Sequence, residues 1–153
     1  ATYCPAAQYV AYLYEHAVSP HLAARLEGPP ITRERIIEQF SQVAARFDYL
    51  VAEGCGGLFC PLNDGEKPLL LGDVAAMLGL PLVIVSPSGL GAINAAVLTA
   101  EYAAKLGLPV LAGVMNGFEA GNPLHEDNRV QIERFTGLRT ICVARDARTI
   151  ELP

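Results

Sequence analysis

An acidic residue beside a glycine-rich turn is the feature of this sequence best suited to chemistry. Glu53 follows the apolar run Leu50–Ala52, and three glycines occupy the next four positions, with Cys55 among them. Glycine allows backbone N–H groups to approach an anion closely. An acid at such a turn suits a magnesium ion that bridges carboxylate and phosphate oxygens. The same pattern also fits a glutamate that caps a tight turn, and both interpretations stay open.

A second glycine-containing segment leads into a helical pattern. Gly89-Leu90-Gly91-Ala92-Ile93-Asn94 precedes a helix predicted from about Ala92 to Leu106. A glycine loop that enters a helix N-terminus can bind a phosphate or a carboxylate. The segment matches the first part of the dinucleotide fingerprint G-x-G-x-x-G, but Asn94 replaces the third glycine and no acid for a ribose follows the next strand. We therefore predict an anion site here.

Asn116 follows the predicted strand 108–114. In an open α/β sheet, ligands bind outside the carboxyl ends of the strands. A carboxamide offers a donor and an acceptor together, which suits recognition of a purine edge. It suits a turn equally well, and the sequence leaves the two alternatives open.

Alternating strand and helix patterns must position these residues. The alternation predicts an α/β fold with a mostly parallel sheet and helices on both faces. Strand Leu50–Ala52 is expected to be covered on both faces, and the strand that ends at Val85 to be central in the sheet. Val130, Ile132 and Phe135 are predicted on the inner face of one helix. The predicted strands are 50–52, 80–85, 108–114 and 139–144, and the predicted helices are 20–26, 32–47, 71–78, 92–106 and 127–136.

Composition limits the possible classes of protein. The 153 residues suit one α/β domain, 1–153, and 52% hydrophobic with 18% charged residues argues against disorder. The net charge of −5 disfavours a nucleic-acid partner, and no apolar run reaches the length of a membrane span. The four cysteines show no zinc spacing, which favours reduced thiols and a cytoplasmic location.

Five segments in order give the chain a family resemblance. It resembles dethiobiotin synthetase, and the resemblance covers nearly the whole chain. The segments are Ser19-Pro20-His21-Leu22-Ala23-Ala24; Glu53-Gly54-Cys55-Gly56-Gly57-Leu58 with Pro61-Leu62; Gly89-Leu90-Gly91-Ala92-Ile93-Asn94 with Leu98-Thr99; Asn116; and Asn128-Arg129 with Ile132-Glu133-Arg134 and Thr136-Gly137.

The resemblance implies a P-loop NTPase-like fold and a homodimeric enzyme of biotin synthesis. Such an enzyme uses ATP, Mg²⁺ and CO₂ or bicarbonate to close 7,8-diaminononanoate into dethiobiotin. An amine of the substrate is carbamated, ATP phosphorylates the carbamate, and the second amine attacks the mixed anhydride.

The resemblance also implies roles for individual residues. Glu53 would hold Mg²⁺ and take part in nucleotide binding. The catalytic group would comprise Glu53, Gly54, Cys55, Gly56 and Gly57. The substrate would contact Ser19 and Pro20, and its carboxylate would bind Gly91, Ala92, Ile93 and Asn94 together with Asn128 across the dimer interface. Asn116 would face adenine, and Arg145 would lie at the rim of the nucleotide pocket, where the family usually has proline.

One departure from the family bears on activity. The phosphate loop G-x-x-x-x-G-K-[ST] does not occur in the 153 residues, whose only lysines are Lys67 and Lys105. Phosphoryl transfer depends on positioned positive charge, so we expect the N-terminal strands with that loop to be missing and the 153 residues alone to be inactive. The alternatives are a non-catalytic binding or regulatory relative, another P-loop-like ligase, and a dinucleotide-binding oxidoreductase.

Overall fold

The structure, a computed structural model, describes residues 9–148. The chain folds into two compact units, with the boundary between Leu78 and Gly79. Among the described residues, the first unit comprises 9–78 and the second comprises 79–148. The expectation of a single domain stays a prediction.

Three helices form the regular structure described in the first unit. They are α1 (Pro20–Glu27), α2 (Arg33–Ala44) and α3 (Leu71–Leu78). Thr32 caps α2 through its hydroxyl, which accepts a hydrogen bond from the Arg35 N–H at 3.4 Å. The side chain of Asp73 accepts the Leu70 N–H at 2.9 Å at the start of α3. The predicted bounds of α3 are confirmed.

The buried core of the first unit includes residues of the two short helices, α1 and α3. Aromatic and aliphatic side chains pack against it, among them Tyr12, Tyr14 and Ile36. Its buried members are Ala24, Ile31, Leu62, Leu69 and Val74.

The predicted strand Leu50–Ala52 is wrong. The segment has no regular structure, and the Val51 side chain is 97% exposed. A strand requires a neighbouring strand to bond its backbone groups. Within residues 9–78, the β pairing described is an isolated bridge between Pro61 and Leu70. The apolar sequence alone therefore did not produce a strand here.

The second unit holds a parallel three-stranded sheet of order β1-β2-β3. The strands are β1 (Leu82–Pro87), β2 (Val110–Asn116) and β3 (Thr140–Val143). Helices α4 (Ala92–Lys105) and α5 (Pro123–Thr136) connect them. The α/β class and the parallel sheet predicted from the sequence are confirmed.

The predicted central position of the first of these strands is wrong within residues 79–148. β1 lies at the edge of the sheet, and β2 is its middle strand. Ile84 and Ser86 are buried, whereas Val83 and Val85 are 52% and 64% exposed. Continuous hydrophobicity indicated burial on both faces, but only the alternate residues are covered in this unit.

Helices α4 and α5 pack on the sheet and on each other. Their shared core consists of Ala92, Ala96, Met115, Phe118 and Ile132. The predicted inner face of α5 is correct for Ile132, but Val130 and Phe135 are 50% and 59% exposed. α5 also begins at Pro123, four residues before its predicted start, because Asn122 caps it by accepting the Leu124 N–H at 3.1 Å.

Membrane spans impose a length and an apolar character on a helix. None of the helices between residues 9 and 148 meets both requirements.

Candidate functional site

The carboxyl ends of the strands in the second unit form an open cavity. Pro87 at the end of β1 is aligned with Asn116 at the end of β2, and Asn116 is aligned with Val143 of β3. The cavity has a volume of about 600 Å³, within the usual range for small-molecule sites. It is lined by Val85, Ser86, Pro87, Asn116, Gly117, Arg145 and Asp146.

Three polar side chains of different chemistry meet at this edge cavity. Asn116 supplies an amide, Arg145 a guanidinium and Asp146 a carboxylate, and all three residues are exposed. An amide can donate and accept, a guanidinium only donates, and a carboxylate only accepts. The structure therefore places Asn116 and Arg145, two residues proposed from sequence, at one cavity that offers both hydrogen-bond donors and acceptors.

The loop between β1 and α4 presents the N-terminus of α4. Gly91 precedes the helix with φ of 89°, a backbone conformation that strains any residue with a β-carbon. Gly89 O accepts the Ala92 N–H at 3.1 Å, and Gly91 O accepts the Ala95 N–H at 3.0 Å. Helix N-termini carry partial positive charge, so this end of α4 is suited to an anion.

Residues 91–94, at the start of α4, differ in their exposure. Asn94 is exposed, whereas the Ala92 side chain has 0% exposure and packs in the core with Met115. Gly91, Ile93 and Asn94 belong to an apolar cavity of about 430 Å³ that Val97, Leu98 and Phe135 complete. A ligand at this surface can reach Asn94 and the helix backbone, but it cannot reach the methyl group of Ala92.

Asn128 of α5 is tied to the same loop. It is 4% exposed, and its amide nitrogen donates to Ser88 O at 2.8 Å and to Gly89 O at 2.9 Å. Ser88 is 2% exposed, and its hydroxyl donates to Asn116 O at 3.0 Å. These bonds link the end of β2, the loop before α4, and α5.

The glycine-rich segment predicted around Glu53 lies in the first unit. Glu53 and residues 54–57 are exposed. A β-carbon at Gly54 would overlap the end of the Leu71 side chain at the start of α3, so a larger residue here would require the Leu71 side chain to move. Gly72 N donates to Leu58 O at 2.8 Å, which holds the end of the segment against α3.

Glu53 is the one carboxylate that segment 53–57 offers to a magnesium ion. Within residues 9–148, no group of three or more His, Cys, Asp or Glu residues is arranged to hold a metal ion. Mg²⁺ is commonly bound by one or two carboxylates together with water and substrate phosphates. The exposed carboxylate of Glu53 is suited to be one such ligand.

Cys55 is an exposed residue between these glycines. Partial burial of its thiol raises the pKa of Cys55, and the nearby Cys60 thiol raises it further. A raised pKa disfavours the reactive thiolate. The Cys55 thiol is therefore poorly suited to nucleophilic attack.

Ser19 and Pro20 form the start of α1. Pro20 is the first helical residue, and Ser19 O accepts the N–H groups of Leu22 and Ala23, both at 3.0 Å. The Ser19 hydroxyl makes no capping hydrogen bond with the helix. The hydroxyl is thereby left available to other partners.

Sequence reasoning missed two residues of the second unit. Asp146 lines the edge cavity, and Ser88 carries the bond between the α4 loop and β2. The sequence offers a signal for Asp146, since it follows a predicted strand at the same edge of the sheet as Asn116. Ser88 offers none, because its partner is a backbone carbonyl 28 positions away.

Comparison with known proteins identifies the family. A family described as AAA domain matches residues 5–146. The chain belongs to the AAA domain family. This membership agrees with the P-loop NTPase-like class predicted from the sequence. The residues at the edge cavity and the α4 loop therefore belong to an AAA domain.

The chain is also similar to proteins named ATP-dependent dethiobiotin synthetase, which confirms the predicted resemblance. It is 35% identical over 144 residues to the protein of Clostridium botulinum strain Alaska E43, over 94% of this chain and 63% of that one. It is 40% identical to the protein of Brachyspira hyodysenteriae, over 90% of this chain and 62% of that one. A Clostridium perfringens protein is 39% identical over 93% of this chain and 62% of that one. The chain thus spans somewhat less than two thirds of the length of these relatives.

Proposed function

We propose that this AAA domain chain works as part of an ATP- and Mg²⁺-dependent dethiobiotin synthase. The reaction would join CO₂ to 7,8-diaminononanoate as a carbamate and transfer the γ-phosphoryl group of ATP to it. Attack by the second amine would close the cyclic urea and release phosphate. The observation that carries the proposal is the similarity to dethiobiotin synthetases over 94% of the chain.

The edge cavity supports a nucleotide site in this proposal. Asn116 would use its amide to bind the purine edge of ATP, with Arg145 beside it at the rim. The cavity volume of about 600 Å³ suits a purine and its ribose. The base would then lie at the carboxyl ends of parallel strands, as ligands of open α/β sheets do.

The loop before α4 supports a carboxylate site. The substrate carboxylate would bind the backbone N–H groups at the start of α4, with Asn94 beside them. The alkyl chain of the substrate would lie along the apolar cavity that includes Ile93 and Leu98. In the proposed homodimer this site would serve the substrate of the partner protomer.

The first unit would supply one ligand of Mg²⁺ and part of the substrate and phosphate pocket. Glu53 would be one ligand of Mg²⁺, and residues 54–57, including Cys55, would line the substrate and phosphate pocket. Ser19 and Pro20 would contact the substrate. A metal held in this way would neutralise the phosphate oxygens and orient the γ-phosphoryl group.

Product formation tests this function. The complete gene product is incubated with 7,8-diaminononanoate, ATP, Mg²⁺ and isotopically labelled bicarbonate, and dethiobiotin is measured by mass spectrometry. We expect labelled dethiobiotin that depends on both ATP and Mg²⁺. A folded complete product that forms none would refute the proposal. The 153 residues alone are expected to form none, since no P-loop motif occurs in them.

A second candidate is a carboxylate-binding module without catalysis, which the helix start of α4 and its apolar cavity would also serve. Such a protein would keep the α4 loop and bind the diamino acid without nucleotide. Calorimetry separates the two candidates. Tight binding with ATP absent, together with no ATP hydrolysis by the complete gene product, would favour the binding module.

A further inference from the structure

Asn128 already uses the N–H groups of its amide in hydrogen bonds within the protein. A direct contact with a substrate carboxylate would require those same N–H groups. The Asn128 amide group has two N–H bonds, and the two acceptors within reach are Ser88 O at 2.8 Å and Gly89 O at 2.9 Å. With the amide reversed, its oxygen would face two carbonyl oxygens and make no hydrogen bond with them. The orientation with the nitrogen towards the loop is therefore the favourable one.

The two residues that hold the loop are buried, which raises the free-energy cost of losing their hydrogen bonds. Asn128 is 4% exposed and Ser88 is 2% exposed. A buried polar group that loses its partner costs more free energy than the bond contributed. Gly89 O accepts from both Asn128 and the Ala92 N–H, so the same bonds also fix the first turn of α4.

The network continues to the edge cavity. The Ser88 hydroxyl donates to the backbone carbonyl of Asn116, a residue that lines that cavity. The loop before α4 is thus held on one side by α5 and on the other by the end of β2.

We infer that Asn128 is a positioning residue, which together with Ser88 holds the 88–91 loop and the N-terminus of α4 in the geometry that binds a carboxylate. The inference rests on the proposed function for the identity of the ligand. It replaces the direct contact between Asn128 and the substrate that the family resemblance implies.

The substitution Asn128→Asp tests the inference in the complete gene product. Aspartate has nearly the shape of asparagine but presents oxygens to both loop carbonyls. Without any substrate, we expect hydrogen exchange of the amides in 88–92 to accelerate about tenfold to thirtyfold, since two neutral hydrogen bonds are lost. We also expect KM for 7,8-diaminononanoate to rise about tenfold or more, while KM for ATP changes less than about threefold.

Two further variants serve as controls. Asn122→Asp makes the same chemical change at the N-cap of the same helix, where the oxygen accepts the Leu124 N–H and the amide nitrogen donates to the Glu119 carboxylate at 2.9 Å. The variant therefore also loses an amide hydrogen bond, but one that does not involve the 88–91 loop. It should leave the exchange of 88–92 and both KM values unchanged. Ser88→Ala removes only the bond to Asn116 O and should accelerate loop exchange less than Asn128→Asp does.

The outcomes separate this inference from the proposed function. Unchanged loop exchange in Asn128→Asp, or a lowered melting temperature with an unchanged KM for the diamine, would overturn the positioning role. If Asn128→Asp does not fold, Asn128→Ser, which retains one donor, takes its place with the same criteria. Faster loop exchange in a protein whose wild type forms no dethiobiotin would support the positioning role and refute the proposed function.

Discussion

Thr140→Val should destabilise the protein in a way that depends on pH. The Glu133 carboxylate of α5 accepts the Thr140 hydroxyl at 2.6 Å and the Thr140 N–H at 3.1 Å. These bonds fasten α5 to β3, and α5 also carries Asn128. Valine preserves the shape of threonine and keeps the methyl group that lies on the side of Gly113 where a β-carbon would be. The substitution therefore removes one charge-assisted hydrogen bond and little else.

The expected magnitude follows from the charge and the exposure of the pair. A hydrogen bond to a charged group contributes about 1.5–3 kcal/mol. Thr140 is buried and Glu133 is partly exposed, so solvent weakens the bond. We expect a loss of about 1.5 kcal/mol in the free energy of unfolding near neutral pH.

The pH dependence has a definite sign. The hydrogen bond from the Thr140 hydroxyl is the main cause that lowers the pKa of Glu133. A lowered pKa in the folded state means that the stabilisation is complete above the ordinary glutamate pKa and is lost as the pH falls through the lowered value. The difference between wild type and Thr140→Val should therefore shrink in acid.

Urea unfolding from about pH 7 down to about pH 3 measures both effects, because that range spans the ordinary glutamate pKa. Thr99→Val is the matched control, since the Thr99 hydroxyl donates to Ala95 O and not to a carboxylate. Its effect should not vary with pH. An equal loss for Thr140→Val at both ends of the range, or a loss below about 0.5 kcal/mol near neutral pH, would refute the reasoning.

Three further predictions concern the core and the proposed site. Ile132→Ala should lower the free energy of unfolding by about 2–5 kcal/mol, because Ile132 is 2% exposed, and a loss below about 1 kcal/mol by urea unfolding would contradict its core position. Glu53→Gln in the complete gene product should reduce Mg²⁺-dependent turnover far more than affinity for the diamine, and unchanged turnover would make Glu53 a turn residue. Asn94→Ala should raise KM for 7,8-diaminononanoate in steady-state assays and leave KM for ATP nearly level, whereas equal changes in both would argue against a carboxylate site at α4.

The sequence predicted helices better than strands, for a physical reason. The signals of a helix are local, as with the Thr32 cap and the start and end of α3. A strand depends on a partner that the local sequence does not specify. The segment Leu82–Val85 pairs with β2, whereas Leu50–Ala52 has no strand partner in the described part of the first unit.

Some residues of the candidate site could likewise be predicted from the sequence, and others could not. Asn116 could be placed at one edge of the sheet because ligands of α/β sheets bind at the carboxyl ends of the strands, whereas Arg145 was placed there by the family resemblance. The partners of Asn128 could not be foreseen, because they are backbone carbonyls about 40 residues away that only the packing of α5 brings within reach. An early start of α5 was also missed, since Asn122 and Pro123 fit both a loop and a helix N-terminus.

The most direct measurement of the central claim is a crystal structure of the complete gene product with a non-hydrolysable ATP analogue, Mg²⁺ and 7,8-diaminononanoate. We predict the adenine edge on the Asn116 amide in the edge cavity, the substrate carboxylate at the start of α4, and Glu53 on the metal ion. An adenine base bound away from the ends of β1 and β2, or a carboxylate bound away from α4, would contradict the proposed site.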